Sequence, residues 1–256
     1  AEIIGLLSYG DKVFVPSTVN GYTITGLRFS WGDYSETDND ADTYIGVRKL
    51  VLPKGLMIRS LHNGNFPDLE AVDFSGEQSE YLFNDGMLFD RKGKRLLLSF
   101  KRGIESDEIR VPAKVKEIGS EAFWDTGVRK ITFANPDVNL IGNPFVRCAW
   151  FDEHKEAGET IYTGNMVFRH FTTDELVLDH TIERISRDCF NDSCPEKITA
   201  HFIPDEEIIA TLDKGGCKKI TITSDCVIPW DLLRKWKGLR AVHLPAHSTY
   251  IDRDGV

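Results

Sequence analysis

Short runs in which two apolar residues flank one variable position recur along the chain. Five of the intervals between their first residues are 22 residues long: those from 50 to 72, 109 to 131, 176 to 198, 198 to 220 and 220 to 242. Alternation of this kind predicts a β-strand with one face on a core, and the equal spacing predicts a stack of similar coils. The runs are Val13–Val15, Leu50–Leu52, Val72–Phe74, Ile109–Val111, Ile131–Phe133, Leu176–Leu178, Ile198–Ala200, Ile220–Ile222 and Val242–Leu244.

A second segment recurs inside the period. Val115–Phe123 matches Ile182–Phe190 at a constant offset of 67 residues, and Leu140–Phe145 is a looser copy. We interpret the Ile-Gly step as a turn that folds the chain back, and the following Phe as filling the space between adjacent coils. One coil alone cannot bury its apolar edge, so the stack is the folding unit.

Two longer gaps and the C-terminal part depart from the simple period. Apolar runs on either side of Asp90–Lys94 predict a β-hairpin insert near 83–100, and a second is predicted near 161–175. The segments Pro204–Leu212 and Pro229–Trp236 are each followed by glycine and predict short helices. We therefore expect residues 10–200 to form coils of about 22 residues. Residues 201–256 should form strand-helix coils, and the whole chain, 1–256, one mainly β solenoid.

These features together resemble the BspA-like leucine-rich-repeat family. The residues that carry the resemblance are Ile109–Pro112, Val115–Phe123 and Val128–Phe133. Val15–Tyr22 is similar to the usual repeat opening, Asp85–Phe89 to the inserted hairpin, and Phe145–Cys148 to the Phe-x-x-Cys step after the turn. The resemblance implies a right-handed leucine-rich-repeat solenoid, secreted or displayed on a bacterial surface, that serves in adhesion or recognition. It brings no catalytic residues. Because the sequence begins at Ala1 without a Met, we expect a mature or trimmed chain. Asp252–Val256 has the pattern of a hairpin opening, which is compatible with further chain after it.

Composition narrows the classes of partner. The formal net charge of −9 and the pI near 5.3 disfavour a nucleic-acid partner, which needs a concentrated Lys/Arg surface. No apolar run approaches the roughly 18 to 20 residues of a membrane span. The five cysteines form no CxxC pair, so we interpret them as free thiols in small core positions rather than as a zinc site or disulfide framework.

Few residues suggest chemistry. Asp38, Asp40 and Asp42 have the alternate spacing that opens a calcium loop, but Thr43 stands where the sharp-turn Gly belongs and Lys49 where the bidentate Glu belongs. A solvated loop is favoured there over a weak cation site. The pairs His243/His247 and Cys148/His154 are explained more simply by a strand and by core packing. We therefore expect no metal, no cofactor and no enzymatic activity.

The candidate binding residues are of two kinds. The core fixes the inward positions of each strand, so recognition falls to the alternate, outward positions. Aromatic residues away from the core pattern are the other kind, because exposed aromatics often mark interfaces or sugar-stacking platforms. The two sets are Lys49, Arg110, Lys130, Thr132, Lys197, Thr199, Lys219 and Thr221 for the strands, and Trp31, Tyr34, Trp150 and Phe151 for the aromatics.

Two functions remain open on this basis. The first is a protein-binding or adhesion module that uses the sheet face or the inserts. The second is a glycan-binding component of a surface polysaccharide system that uses the aromatics.

Overall fold

The computed structural model describes residues 1–6, 10–29, 43–61, 63–75, 80–100 and 107–251. The chain divides into two compact units, Ala1–Asp152 and Glu153–Val256. The prediction of one uninterrupted domain over 1–256 stays a prediction.

The first unit is almost entirely β-structure. Its elements are β1 (Glu2–Ile3), β2 (Lys12–Phe14), β3 (Thr18–Val19), β4 (Tyr22–Thr23), β5 (Gly26–Arg28), β6 (Lys49–Pro53), β7 (Met57–Ser60), β8 (Ala71–Ser75), β9 (Tyr81–Asn84), β10 (Met87–Asp90), β11 (Arg95–Ser99), β12 (Glu108–Val111), β13 (Glu117–Ile118), β14 (Lys130–Phe133), β15 (Asn139–Leu140) and the start of helix α1 (Ala149–Ala157).

The second unit follows α1 and combines strands with two more helices. Its elements are β16 (Ile161–Thr163), β17 (Met166–Arg169), β18 (Leu176–Val177), β19 (Arg184–Ile185), β20 (Lys197–Ala200), α2 (Glu206–Gly215), β21 (Lys219–Ile222), β22 (Val227–Pro229), α3 (Trp230–Arg234), β23 (Ala241–His243) and β24 (Thr249–Ile251).

Most coils supply two short strands, and most of these strands pair in parallel with counterparts in neighbouring coils. In the first unit Ile109 on β12 is the register partner of Ile131 on β14. Glu117 on β13 is likewise the partner of Asn139 on β15, and both pairs are 22 residues apart in sequence. The predicted solenoid of about 22-residue coils is confirmed. The second strand row was not predicted, because two-residue strands are too short to show alternation.

Three groups of parallel strands carry the recurring apolar runs, and we call them ladders. The first ladder is β2-β6-β8 and the second is β12-β14, both in the first unit; the third ladder is β18-β20-β21-β23 in the second unit. Inward positions such as Leu50, Ile198 and Ile220 are fully buried. The 22-residue spacing therefore places one apolar side chain of each coil on top of the next.

The turn segment also behaves as predicted. Phe123 and Phe145, one period apart, are both buried and stack with ring centroids 5.4 Å apart. Gly119, in the Ile-Gly step, passes close to the preceding coil: a Cβ there would lie 3.3 Å from the Leu96 carbonyl oxygen. A side chain at this position would require the neighbouring backbone to shift by a few tenths of an ångström.

Both predicted hairpins are present. In the first, β10 and β11 pair antiparallel on either side of the predicted Asp90–Lys94 turn, and β11 continues in parallel with β13. A further antiparallel strand, β9, precedes β10, and Asp85 and Gly86 (φ 49° and 72°) form the two-residue turn between them. The second hairpin is shorter than predicted, because its strands end at Arg169 rather than near residue 175.

The hairpins contribute to the core. Met87, Leu88 and Phe89 are consecutive and all buried, so both faces of β10 are covered. All four residues of β17 are buried as well. This burial explains why these segments read as continuous apolar runs instead of alternating ones.

Of the three helices in the part of the chain that the structure describes, two were predicted. α2 begins after Asp205, whose side chain accepts a hydrogen bond from the Ile208 N–H at 2.9 Å, and it ends at Gly216 in the left-handed conformation. α3 is shorter than predicted and ends at Arg234. Helix α1 was not predicted. Its aromatic first turn follows immediately after the repeat segment that ends at Cys148, so it was interpreted as an insert. No helix in the described ranges is both long and apolar enough to cross a membrane.

We expect Ile131→Asp to prevent stable folding, because it removes a buried side chain worth about 1.5 to 3 kcal/mol and leaves an unpaired carboxylate in the core. Ile131 is only 6% exposed. The neighbouring change Thr132→Asp, on the outward side opposite Arg110, should alter stability by less than about 1 kcal/mol. Urea denaturation of both variants measures the difference, and equal midpoints would contradict the assigned register.

Candidate functional site

The outward positions of the three ladders form rows of side chains on the sheet surface, and we call these the outward rows. In the third ladder, Lys197 and Lys219 are register partners, and so are Thr199 and Thr221. Neighbouring strands in a sheet lie about 4.8 Å apart, so each row is a closely spaced strip. All eight strand residues predicted as binding candidates lie in these rows.

A carboxylate with two partners lies at the start of the third ladder. Glu175 Oε1 is 2.8 Å from Lys197 Nζ and accepts a hydrogen bond from Thr199 Oγ1 at 2.6 Å. The Lys197 ammonium and the Thr199 hydroxyl hold the pKa of Glu175 below its usual range. Val177, beside these groups, leaves 58% of its surface exposed. An aliphatic side chain thus stands in solvent next to a carboxylate that already has two partners.

The outward side chains of the other half of the third ladder, on β21 and β23, have fewer charged partners. Lys219 is exposed, and in the described part of the chain it makes no ion pair. Its strand neighbours on either side are Lys197 and Ala241. Thr221 is half-buried, and its register partner His243 is exposed.

The ladders of the first unit show the same chemistry. Lys49 Nζ lies 2.5 Å from Asp73 Oδ2 in the first ladder, and Lys130 Nζ lies 2.8 Å from Glu108 Oε1 in the second. Arg110 is exposed beside Thr132, whose hydroxyl donates to the Ile109 carbonyl at 3.4 Å. Ion pairs between exposed side chains are worth little individually, so these groups remain able to exchange partners.

The run Val13–Val15 was predicted as a rung, but its outward residues were not among the predicted binding candidates. Lys12 and Phe14 on β2 face outward in register with Lys49 and Val51, Phe14 is 66% exposed, and the Lys12 ammonium lies 4.8 Å from the Phe14 ring centre. The interval from Lys12 to Lys49 is 37 residues rather than 22, so the period alone did not bring the two positions together. The apolar alternation around Val13 was the available signal.

The predicted aromatic binding candidates, unlike the residues of the outward rows, are not exposed where the structure describes them. Trp150 and Phe151 were predicted to lie in an exposed insert, but they lie on α1 and are 5% and 7% exposed. The Trp150 ring packs edge-on against Phe145, with centroids 5.0 Å apart, and also contacts Phe133. The expectation of exposure was wrong for both, because the helix turns its apolar start into the core. Trp31, Tyr34 and the Asp38–Asp42 segment lie outside the described residues.

The cysteines are not activated for chemistry. Burial raises the pKa of Cys148, Cys189 and Cys194, and it raises the pKa of Cys217 to about 11. A nucleophilic cysteine needs the opposite shift. Cys148, Cys189 and Cys217 are fully buried, as predicted for thiols that fill core positions. Within the described ranges, no group of three His, Cys, Asp or Glu side chains could hold a metal ion.

One buried histidine belongs to the second unit. His170 is enclosed next to the Phe190 ring, with Thr160 Oγ1 2.9 Å from Nδ1 and Thr172 Oγ1 3.3 Å from Nε2. Burial lowers the pKa of His170, against smaller opposing effects from Thr172 and Asp174. Its place inside the coil and its two hydroxyl partners indicate a structural role.

No protein-family model and no curated protein matches this sequence. Among solved structures, the chain is similar to a leucine-rich repeat protein from Eubacterium ventriosum ATCC 27560, with 15% identity and a TM-score of 0.38 over 92% of this chain and 66% of that one. It is also similar to the pneumococcal vaccine antigen PcpA, with 16% identity and a TM-score of 0.40 over 90% of this chain and 62% of that one. The chain thus spans less than two thirds of the length of either protein.

We expect Trp150→Ala to lower the free energy of unfolding by about 3 to 5 kcal/mol, because the ring fills a packed aromatic cluster. Tyr22→Ala, which removes an exposed ring in the same unit, is the matched control and should cost less than about 1 kcal/mol. Chemical denaturation measures both. A Trp150→Ala variant of unchanged stability would show that the ring does not pack in the core.

We expect the stability of the chain to fall as the pH drops below about 6.5. The unfolded chain then protonates His170 while the folded chain still holds it neutral, so protons favour unfolding. Replacing it by His170→Gln should remove this part of the slope between about pH 7 and pH 5. His247→Gln, at an exposed histidine of the same unit, serves as the control. Unfolding midpoints that depend on pH equally in both variants would contradict the prediction.

Proposed function

We propose that this chain is a non-catalytic recognition module of the leucine-rich-repeat type that binds another protein through its outward rows. The observation that carries the proposal is the third ladder, where Val177 stands exposed beside a carboxylate already held by Lys197 and Thr199. Groups that are ordered before binding lose less entropy on association. Small and β-branched side chains around them leave the strip flat enough for a partner surface.

The chemistry elsewhere supports binding over catalysis. Burial raises the pKa of the thiols of Cys148, Cys189, Cys194 and Cys217. The buried imidazole of His170 lies within hydrogen-bond distance of two threonine hydroxyls. The resemblance to BspA-like proteins further supports adhesion at a bacterial surface, or after secretion, as the setting in which such a module works. These finer assignments are part of the proposal.

The glycan-binding alternative relied on two pairs of aromatics. Trp150 and Phe151 are packed in the core and offer no stacking surface, whereas Trp31 and Tyr34 lie outside the described residues. The outward positions of the third ladder contain no Trp, Tyr or Phe to stack on a sugar ring. Protein binding is therefore the function that the surface supports best.

We expect Thr221→Arg to abolish saturable binding to a protein partner, because a long charged side chain in the centre of the third ladder would hold a partner surface away. Ala210→Arg, at an exposed position on α2, introduces the same charge off the ladder and should leave binding intact. The measurement is surface plasmon resonance against purified fibronectin, laminin and collagen, with a glycan array in parallel. Binding of glycans alone, or equal loss in both variants, would refute the proposal.

A further inference from the structure

Lysine faces lysine across neighbouring strands at two places in the chain. Lys197 and Lys219 are register partners in the third ladder, and Lys12 and Lys49 are register partners in the first. Like charges directly opposite each other in a sheet are destabilising. A solvated strand face can be built without opposed lysines. Thr, which suits exposed strand positions, occupies the outward positions 132, 199 and 221.

Only one lysine of each pair is neutralised. Glu175 lies 2.8 Å from Lys197, and Asp73 lies 2.5 Å from Lys49. For Lys219 and Lys12, no ion pair occurs among the residues that the structure describes. In both ladders the outward strand positions therefore supply one carboxylate for two ammonium groups.

The outward rows are consequently positive on an acidic chain. Each ladder has one more cation than carboxylate at its outward strand positions, although the formal net charge of the chain is −9. The cations are Lys12 and Lys49 in the first ladder, Arg110 and Lys130 in the second, and Lys197 and Lys219 in the third; the carboxylates are Asp73, Glu108 and Glu175. A surface whose sign opposes that of its own chain is complementary to an acidic partner.

We infer that the third ladder binds an acidic polypeptide segment, one of whose carboxylates pairs with Lys219. This inference rests on the proposed protein-binding function and specifies the chemistry of the partner. The partner carboxylate relieves the repulsion between Lys197 and Lys219, so binding gains both a new ion pair and the removal of an unfavourable one. Val177, at the opposite end of the strip, offers an apolar contact that a polypeptide side chain can use.

The test measures the fluorescence anisotropy of labelled peptides with the full chain. The probes are a peptide of alternating Glu and Ser, a charge-reversed peptide of alternating Lys and Ser, and polygalacturonate as a competitor of a different class. We expect the Glu/Ser peptide to bind with an affinity that falls as salt rises, and the Lys/Ser peptide not to bind. Lys219→Glu should weaken binding of the Glu/Ser peptide by about fivefold or more.

The same substitution separates binding from folding. In Lys219→Glu the new carboxylate faces Lys197, so the melting temperature should stay the same or rise while the affinity falls. Lys237→Glu, an identical charge change at an exposed residue outside the ladder strands, is the matched control and should keep full affinity. Equal losses in the two variants would overturn the inference, because they would show a general charge effect.

Other outcomes are equally decisive. Absence of binding by the Glu/Ser peptide, or binding of polygalacturonate without the peptide, overturns the acidic-segment inference. If Thr221→Arg still abolishes capture of a purified protein in that case, protein binding through the third ladder stands and only the acidic chemistry of the partner is wrong. If neither the peptide nor any purified protein binds, both proposals fail.

Discussion

The parallel pairing of each strand with its counterpart one period later is the constraint on which the rest of the structure depends. Residues such as Ile109 and Ile131, or Ile198 and Ile220, become neighbours because the coils repeat every 22 residues. This register stacks inward side chains into a continuous core within each unit, and it satisfies backbone groups that a single short strand would leave unpaired. A two-residue strand such as β13 persists only because its neighbouring coils hold it on both sides.

The same register determines what the surface can present. Once the inward positions are buried, each rung offers only its outward side chains, and the period aligns these into rows. Charges from successive coils therefore meet whether or not they are complementary: Glu175 and Lys197 attract each other, whereas Lys197 and Lys219 do not. The register thus decides which surface charges of the ladders become neighbours. Where it places two cations side by side with one carboxylate, the repulsion is unfavourable for the isolated chain.

The inserts have a different role from the one that their loop-like positions suggest. β10 and β17 are covered on both faces, and the aromatic start of α1 packs against Phe133 and Phe145. These segments extend the core where the simple period is interrupted. In the described residues, the side chains that these coils expose in rows are therefore those of the strands, not the aromatic side chains Trp150 and Phe151.

The sequence by itself determined the coil length, the inward and outward positions of the main strands, both hairpins and the helices α2 and α3, because each depends on local alternation, turn residues or caps. Only the tertiary structure decided the second strand row, the burial of Trp150 and Phe151, and the place of Lys12 beside Lys49. Two-residue strands carry no periodicity, the exposure of an aromatic residue depends on what packs over it, and a 37-residue interval hides a neighbour that the 22-residue period cannot reveal. The pairing of charges likewise required the register, since sequence shows which residues are charged but not which of them face each other.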